Sequence, residues 1–311
     1  MKFNFIFNIF PGIDGVNTRT AALITLVFAF TVAPRAQESP YFVAYDHHLE
    51  EPGHLEIAVN SNVGVPRKGN PAFFAPYTEL EYGVKAWWTS ELYLEGQSTR
   101  RDSTIFTGWR LENRFRPLAR EHVVNPVLYL EYEDLNEGSR IQKEIVGHAA
   151  SFKERNSVLR RERARELEGR LILSSNFQNW NISENFIVEK NFSADEGMEF
   201  GYALGIARPL AALAASSPCR FCRENVVAGM EVFGGLGSSL DFGLRNTAHY
   251  LAPTLSWQVS DNSSLRFSPA VGLTSSSLPL LLRFGYSYEV RGFGNRLADF
   301  FHGKQKPRGE N

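Results

Sequence analysis

Cysteine is nearly absent: the 311 residues contain only Cys219 and Cys222. That excludes a disulfide framework of the kind that staples small secreted domains, and a zinc site built from two CxxC pairs. A basic excess is also lacking. Lys and Arg number 33 against 34 Asp and Glu, and the net charge is -1. The electrostatic footprint of a nucleic-acid binder is therefore missing, and no nucleic-acid partner is expected. Beyond the N-terminal region no apolar run approaches the ~20 residues of a membrane helix. Catalytic signatures are missing too: there is no G-x-S-x-G elbow. The glycine-rich GMEVFGGLGSSLDFG (Gly229 to Gly243) lacks the G-K-S/T ending of a phosphate loop.

What the chain does have is aromatics, 13% of residues with 24 Phe, and long stretches that alternate. In TIFTGWRLENRFR, from Thr104 to Arg116, one face carries Ile105, Thr107, Trp109, Leu111 and Phe115. The other carries Phe106, Gly108, Arg110, Glu112, Arg114 and Arg116. A period of 2 is a strand pattern. About twelve such segments follow one another: 54–63, 77–86, 88–97, 104–116, 127–134, 166–177, 180–190, 197–207, 225–235, 248–259, 264–273 and 280–291. A globular strand runs about 5 or 6 residues, whereas a tilted membrane-spanning strand runs about 9 to 11. Charges recur on the polar faces: Glu91, Glu95, Arg110, Glu112, Arg114, Glu131, Glu133, Arg170, Arg266 and Arg283. Mixed charge on strand after strand suits a wet or salt-bridged barrel lumen. An exported soluble β-sandwich or lipid-binding barrel is the competing fold. The reading adopted is all-β: a single transmembrane antiparallel up-and-down β-barrel of about 12 strands, since in lipid only closure satisfies every strand edge.

The domain plan follows. Residues 1–36, with the apolar run Ala21 to Ala33, read as a signal peptide. Residues 37–53 read as a periplasmic lead-in segment, 54–293 as the barrel and 294–311 as a polar C-terminal tail. Links after even-numbered strands are mostly short, as periplasmic turns are, and the others longer, as surface loops are. In the longest loop, Ser151 to Leu167 is the one stretch that suggests a helix. The pieces YTELEYGVKAWWTSELYLEG, ENRFRPL, LYLEYE and ELEGRLILSSNF resemble, loosely, Gram-negative outer-membrane barrels of the meta-pathway phenol-degradation type. That resemblance implies an outer-membrane location, outer-membrane lipids and the barrel-insertion machinery as partners, and passage of small solutes, including apolar or aromatic ones.

The candidate sites are few. The ten charged residues named above are expected to line the lumen together with Glu79, Glu81, Lys85, Glu168, Glu189, Glu199 and Glu289, and these eleven acids against six bases would favour cations. Cys219 and Cys222 read as a local disulfide, with redox and metal roles as rival readings. His47, His48 and His54, among Asp46, Glu50 and Glu51, could ligate a metal, but they lie in a short lead-in and no metal or cofactor is expected. Arg160, Arg161, Arg163 and Arg165 could meet lipopolysaccharide phosphates, since clustered arginine favours phosphate. The function expected is passive solute transport, without enzymatic activity. A plugged structural or surface-display barrel is the alternative. An outer-membrane hydrolase built on His148 or His249 with Ser238, Ser239 and Asp241 is the weaker one.

Overall fold

The structure, a computed structural model, describes residues 39–141, 146–147, 153–195, 197–210 and 226–302. The expected signal peptide, the CxxC pair, His148 and the last residues of the tail lie outside these.

Twelve strands form one ring. They are β1 (Leu55–Val65), β2 (Phe73–Lys85), β3 (Trp88–Thr99), β4 (Thr104–Phe115), β5 (Asn125–Asn136), β6 (Arg163–Phe177), β7 (Trp180–Asn191), β8 (Glu199–Pro209), β9 (Val226–Ser238), β10 (His249–Ser260), β11 (Ser263–Gly272) and β12 (Leu280–Val290). Each strand pairs with its neighbours in sequence, and β12 returns to pair antiparallel with β1 from Leu55↔Val290 to Val65↔Leu280. Closure leaves no open edge, which is what a hydrocarbon surround demands. For twelve strands spaced about 4.8 Å and tilted about 40°, the backbone ring is roughly 24 Å across.

The alternation seen in the sequence becomes an inside-out protein. Leu94, Leu111, Leu128, Leu130, Leu171, Phe186, Leu204, Leu255, Phe267 and Phe284 are exposed on the outer face. Glu95, Arg110, Glu112, Glu131, Glu168, Arg170, Glu231 and Arg283 are buried on the inner one. Water would reverse that arrangement, because charged residues are rarely fully buried in soluble proteins. A bilayer explains it, and the chain is a transmembrane barrel. At the end with short turns, Trp87, Trp88 and Phe115 stack with centroids 6.0–6.3 Å apart, and Phe177 and Trp180 flank the β6–β7 turn at the same end. Such amphipathic rings suit the headgroup level. The β6–β7 turn at this end is two residues, Gln178 (φ 49) and Asn179 (φ 67). Positive φ at both central positions marks the primed turn whose twist matches a hairpin.

Three local expectations need correction. In β4 the alternation slips at Gly108 (φ 147), where the pairing with β3 shifts register between Glu95 and Gly96. A bulge inserts one extra residue, so Phe106 turns outward and Thr107 is buried, the reverse of strict alternation. From Trp109 onward the expected faces hold. The anticipated helix at 151–167 shrinks to α1 (Asn156–Leu159), because Arg163 and Arg165 already belong to β6. The expected polar tail begins instead as a helix, α2 (Phe293–His302), with Leu297, Phe300 and Phe301 exposed.

Candidate functional site

A ring of this width lined by charges needs something inside it. That something is the chain's own N-terminal segment. Among the described residues of the expected lead-in, every one from Tyr41 to His47 is at most 8% exposed. Their partners are the inward side chains of the wall.

Glu231 on β9 makes the main attachment. Its Oε1 accepts the backbone N–H groups of Phe42 (3.1 Å), Val43 (2.7 Å) and Ala44 (2.8 Å). Its Oε2 accepts from Arg283 Nη2 on β12 at 3.0 Å. Three successive amides converging on one carboxylate form a small anion nest. Carbonyls are met as well: Arg170 donates to Val43 O (2.9 Å) and Arg266 to Tyr41 O (3.1 Å). The Tyr45 carbonyl accepts from Ser183 and from Asn185 Nδ2 (2.9 Å). Tyr45 Oη donates to Glu112 Oε2 at 2.9 Å, beside Tyr93 Oη at 3.2 Å. The segment therefore grips β3 and β4 at Tyr45 and β9 at Phe42–Ala44. Those walls lie five to six strands apart in a ring of twelve, so the segment crosses the lumen.

Guanidinium planes pack on its rings. Arg114 and Arg170 lie 5.0 and 5.1 Å from the Tyr45 centroid, and Arg266 and Arg283 lie 5.2 and 5.0 Å from that of Phe42. Cation–π attraction strengthens where water is excluded. Gly205 on β8 leaves the room Tyr41 uses, since a Cβ there would stand 2.7 Å from the ring.

Around this segment the wall charges pair. Arg110 bonds Glu95 (2.5 Å) and Glu131 (2.9 Å). Arg114 reaches Glu81 (2.5 Å), Glu112 (2.8 Å) and Glu91 (3.3 Å). Arg170 bonds Glu168 (2.5 Å), and Arg266 lies 3.8 Å from Glu79. All ten residues expected in the lumen face inward. Glu133 stands directly opposite Arg110 across β4 and β5, and its carboxylate also lies within 4.8 Å of those of Glu166 and Glu189. Two participants were missed. Glu231 was legible from its alternation with Met230 and Val232; the segment 41–47 carried no such signal.

The three histidines of the lead-in do not converge. His47 Nδ1 meets Ser174 Oγ at 2.9 Å, and His48 is exposed beside Asp46 at 3.0 Å. His54 joins Glu289 at 2.6 Å. Near it, burial and then the carboxylates of Glu81, Glu289 and Glu51 push Glu50 up to about 8. The rival hydrolase set is not assembled among the described residues. His249 gives its ring nitrogens to Tyr202 Oη (2.9 Å) and Thr247 Oγ1 (2.8 Å) rather than to Ser238, Ser239 or Asp241. Arg160, Arg161, Arg163 and Arg165 are exposed at the long-loop end, where Arg163 pairs with Asp134.

Fold and lumen together define a transmembrane barrel with a charged interior crossed by its own N-terminal segment. No protein-family model matches the chain, and no curated protein matches it in sequence. Solved structures do match in shape. An outer-membrane channel from Pseudomonas putida F1 aligns with a TM-score of 0.51 at 10% identity, over 79% of this chain and 98% of that one. The KdgM porin, solved in complex with disordered oligogalacturonate, gives 0.44 at 7% identity, over 74% and 98%. Outer membrane phospholipase A from Escherichia coli gives 0.37 at 11%, over 83% and 95%. At such identities the likeness is one of fold.

Proposed function

We propose that this protein resides in the outer membrane and passes small solutes passively, with residues 39–47 as a plug that closes the lumen in the conformation described. The observation that carries this reading is the way the plug is held. It crosses the lumen on hydrogen bonds and cation–π contacts and enters no sheet, so it can leave without breaking the barrel. The apolar belt and the barrel shape support the location. The short-turn end, where His54 and the end of β12 lie, is read as periplasmic. With the plug displaced, the exposed wall carries Glu79, Glu91, Glu95, Glu112, Glu131 and Glu231 against fewer arginines, so cations would be favoured. The loose resemblance to phenol-degradation-type barrels makes apolar or aromatic compounds the first solutes to try. The exposed arginines of the long-loop end suit anionic lipopolysaccharide.

The test is planar-bilayer conductance of the refolded protein, with liposome uptake beside it. Intermittent, cation-preferring channels support the reading. A second reading, a permanently plugged barrel that displays its loops, is favoured by the density of bonds to the plug. Complete silence in both assays, including after removal of residues 39–47 from a barrel that still folds, would establish it instead.

A further inference from the structure

At the short-turn mouth three inward glutamates stand side by side. Glu56 on β1 lies opposite Glu81 on β2 and opposite Glu289 on β12. Like charges directly opposite each other repel. The stem of the plug adds Glu50 and Glu51. His54 enters this group with Nδ1 2.6 Å from Glu289 Oε1, 3.5 Å from Glu51 Oε2 and 4.0 Å from Glu50 Oε1. Arg114 and Arg291 reach its edges, at Glu81 (2.5 Å) and at the other oxygen of Glu289 (3.3 Å).

Glu50 stands apart from the rest. Its side chain is only 10% exposed, and its buried Oε1, the atom turned toward His54, has no hydrogen-bond partner. A single Nδ1 proton serves one acceptor, and Glu289 takes it. A buried carboxylate oxygen facing other carboxylates is costly unless a cation compensates it. We propose that Glu50, His54 and Glu289, backed by Glu51, bind a divalent cation of the zinc class. The ligand atoms of the first three lie within 4.8 Å of one another. Imidazole nitrogen with carboxylate oxygens suits zinc(II), whereas calcium prefers six to eight oxygens. The backbone is already fixed: Gly53 N donates to Gly83 O (2.7 Å), His54 N to Glu51 O (3.0 Å) and Gly83 N to His54 O (3.1 Å). A Cβ on Gly83 would run into the Glu51 carbonyl. Binding requires Nδ1 of His54 to be free of a proton, which in the neutral ring is then carried on Nε2. The ion would fasten the root of the plug to β12, the strand that closes the ring, and it goes beyond the transport reading without depending on it.

The experiment uses the full chain folded in detergent, stripped with chelator, in a Cys219→Ser, Cys222→Ser background so that no thiol competes. Zinc(II) titrated calorimetrically should bind once, saturably. Glu50→Gln and His54→Ala should each weaken it ~10-fold or more, with the folded electrophoretic mobility retained. Cobalt(II) should bind with visible absorption that His54→Ala abolishes. If His54→Ala does not fold, Glu289→Gln takes its place. Absence of saturable binding overturns the proposal, as does binding that none of these variants weakens. Calcium(II) binding more tightly than zinc(II) overturns it as well.

Discussion

Replacing Glu231 with alanine should unlatch the plug. The substitution removes an acceptor of three backbone N–H groups at 2.7–3.1 Å and the partner of Arg283 at 3.0 Å. A hydrogen bond to a charged group contributes about 1.5–3 kcal/mol. Breaking a buried ion pair from one side costs about 3–5 kcal/mol. The ion pair joins two wall residues and counts against the barrel; docking loses the three amide bonds, which share one carboxylate and do not simply add, so about 3–5 kcal/mol is taken as the loss in plug docking. At about 1.4 kcal/mol per decade, the undocked population should rise by about two to three and a half orders of magnitude. Two readouts follow it. The first is single-channel open probability in planar bilayers. The second is the rate of maleimide labelling at Ala44→Cys in the Cys219→Ser, Cys222→Ser background, since Ala44 is 4% exposed when docked. Both should rise together in Glu231→Ala. If labelling and conductance stay at the parent level in a folded Glu231→Ala barrel, the carboxylate latch is not what holds the plug and the reasoning fails.

Arg110→Ala should strand Glu95 and Glu131 in the wall and lower barrel stability by about 3–5 kcal/mol, read from urea unfolding in detergent. Leu130→Arg, on the outer face midway along β5, should cost about 2–4 kcal/mol of folding into vesicles. Stability should also vary with pH through Glu50. Its folded value of about 8 lies above its ordinary 4.5, so the folded state keeps a proton that the unfolded chain has released between those values. Stability should fall across that window, on the order of a few kcal/mol, and level off above it. Glu50→Gln, measured with chelator present, should flatten the profile.

The wall of the barrel was legible because lipid outside and charge inside write the same two-residue period into every strand. Leu111 and Arg110, or Leu130 and Glu131, needed no further information. Where that period breaks, local reading fails: Phe106 and Thr107 were assigned to the wrong faces because nothing in their own residues announces the bulge at Gly108. The plug was illegible for a different reason. YFVAYDH is too short to show periodicity, and it reads as a connector between Pro40 and Pro52. What buries it is a set of side chains on remote strands, among them Asn185, Glu231 and Arg266. The lumen arginines could be listed from sequence, but not the fact that several of them serve the chain's own backbone.

The way the plug is held also fixes an order in time. The backbone bonds of Tyr41 and Tyr45 to the wall run to partners 138 to 225 positions further along the chain. These first described residues find their partners only after β9, β11 and β12 are in place. Until then three amides and two tyrosines at the leading end stay in water, reachable by proteases. Protease resistance at Tyr41–Tyr45 should therefore appear together with, or after, the pairing of β1 with β12, so the plug records whether the last strand has arrived.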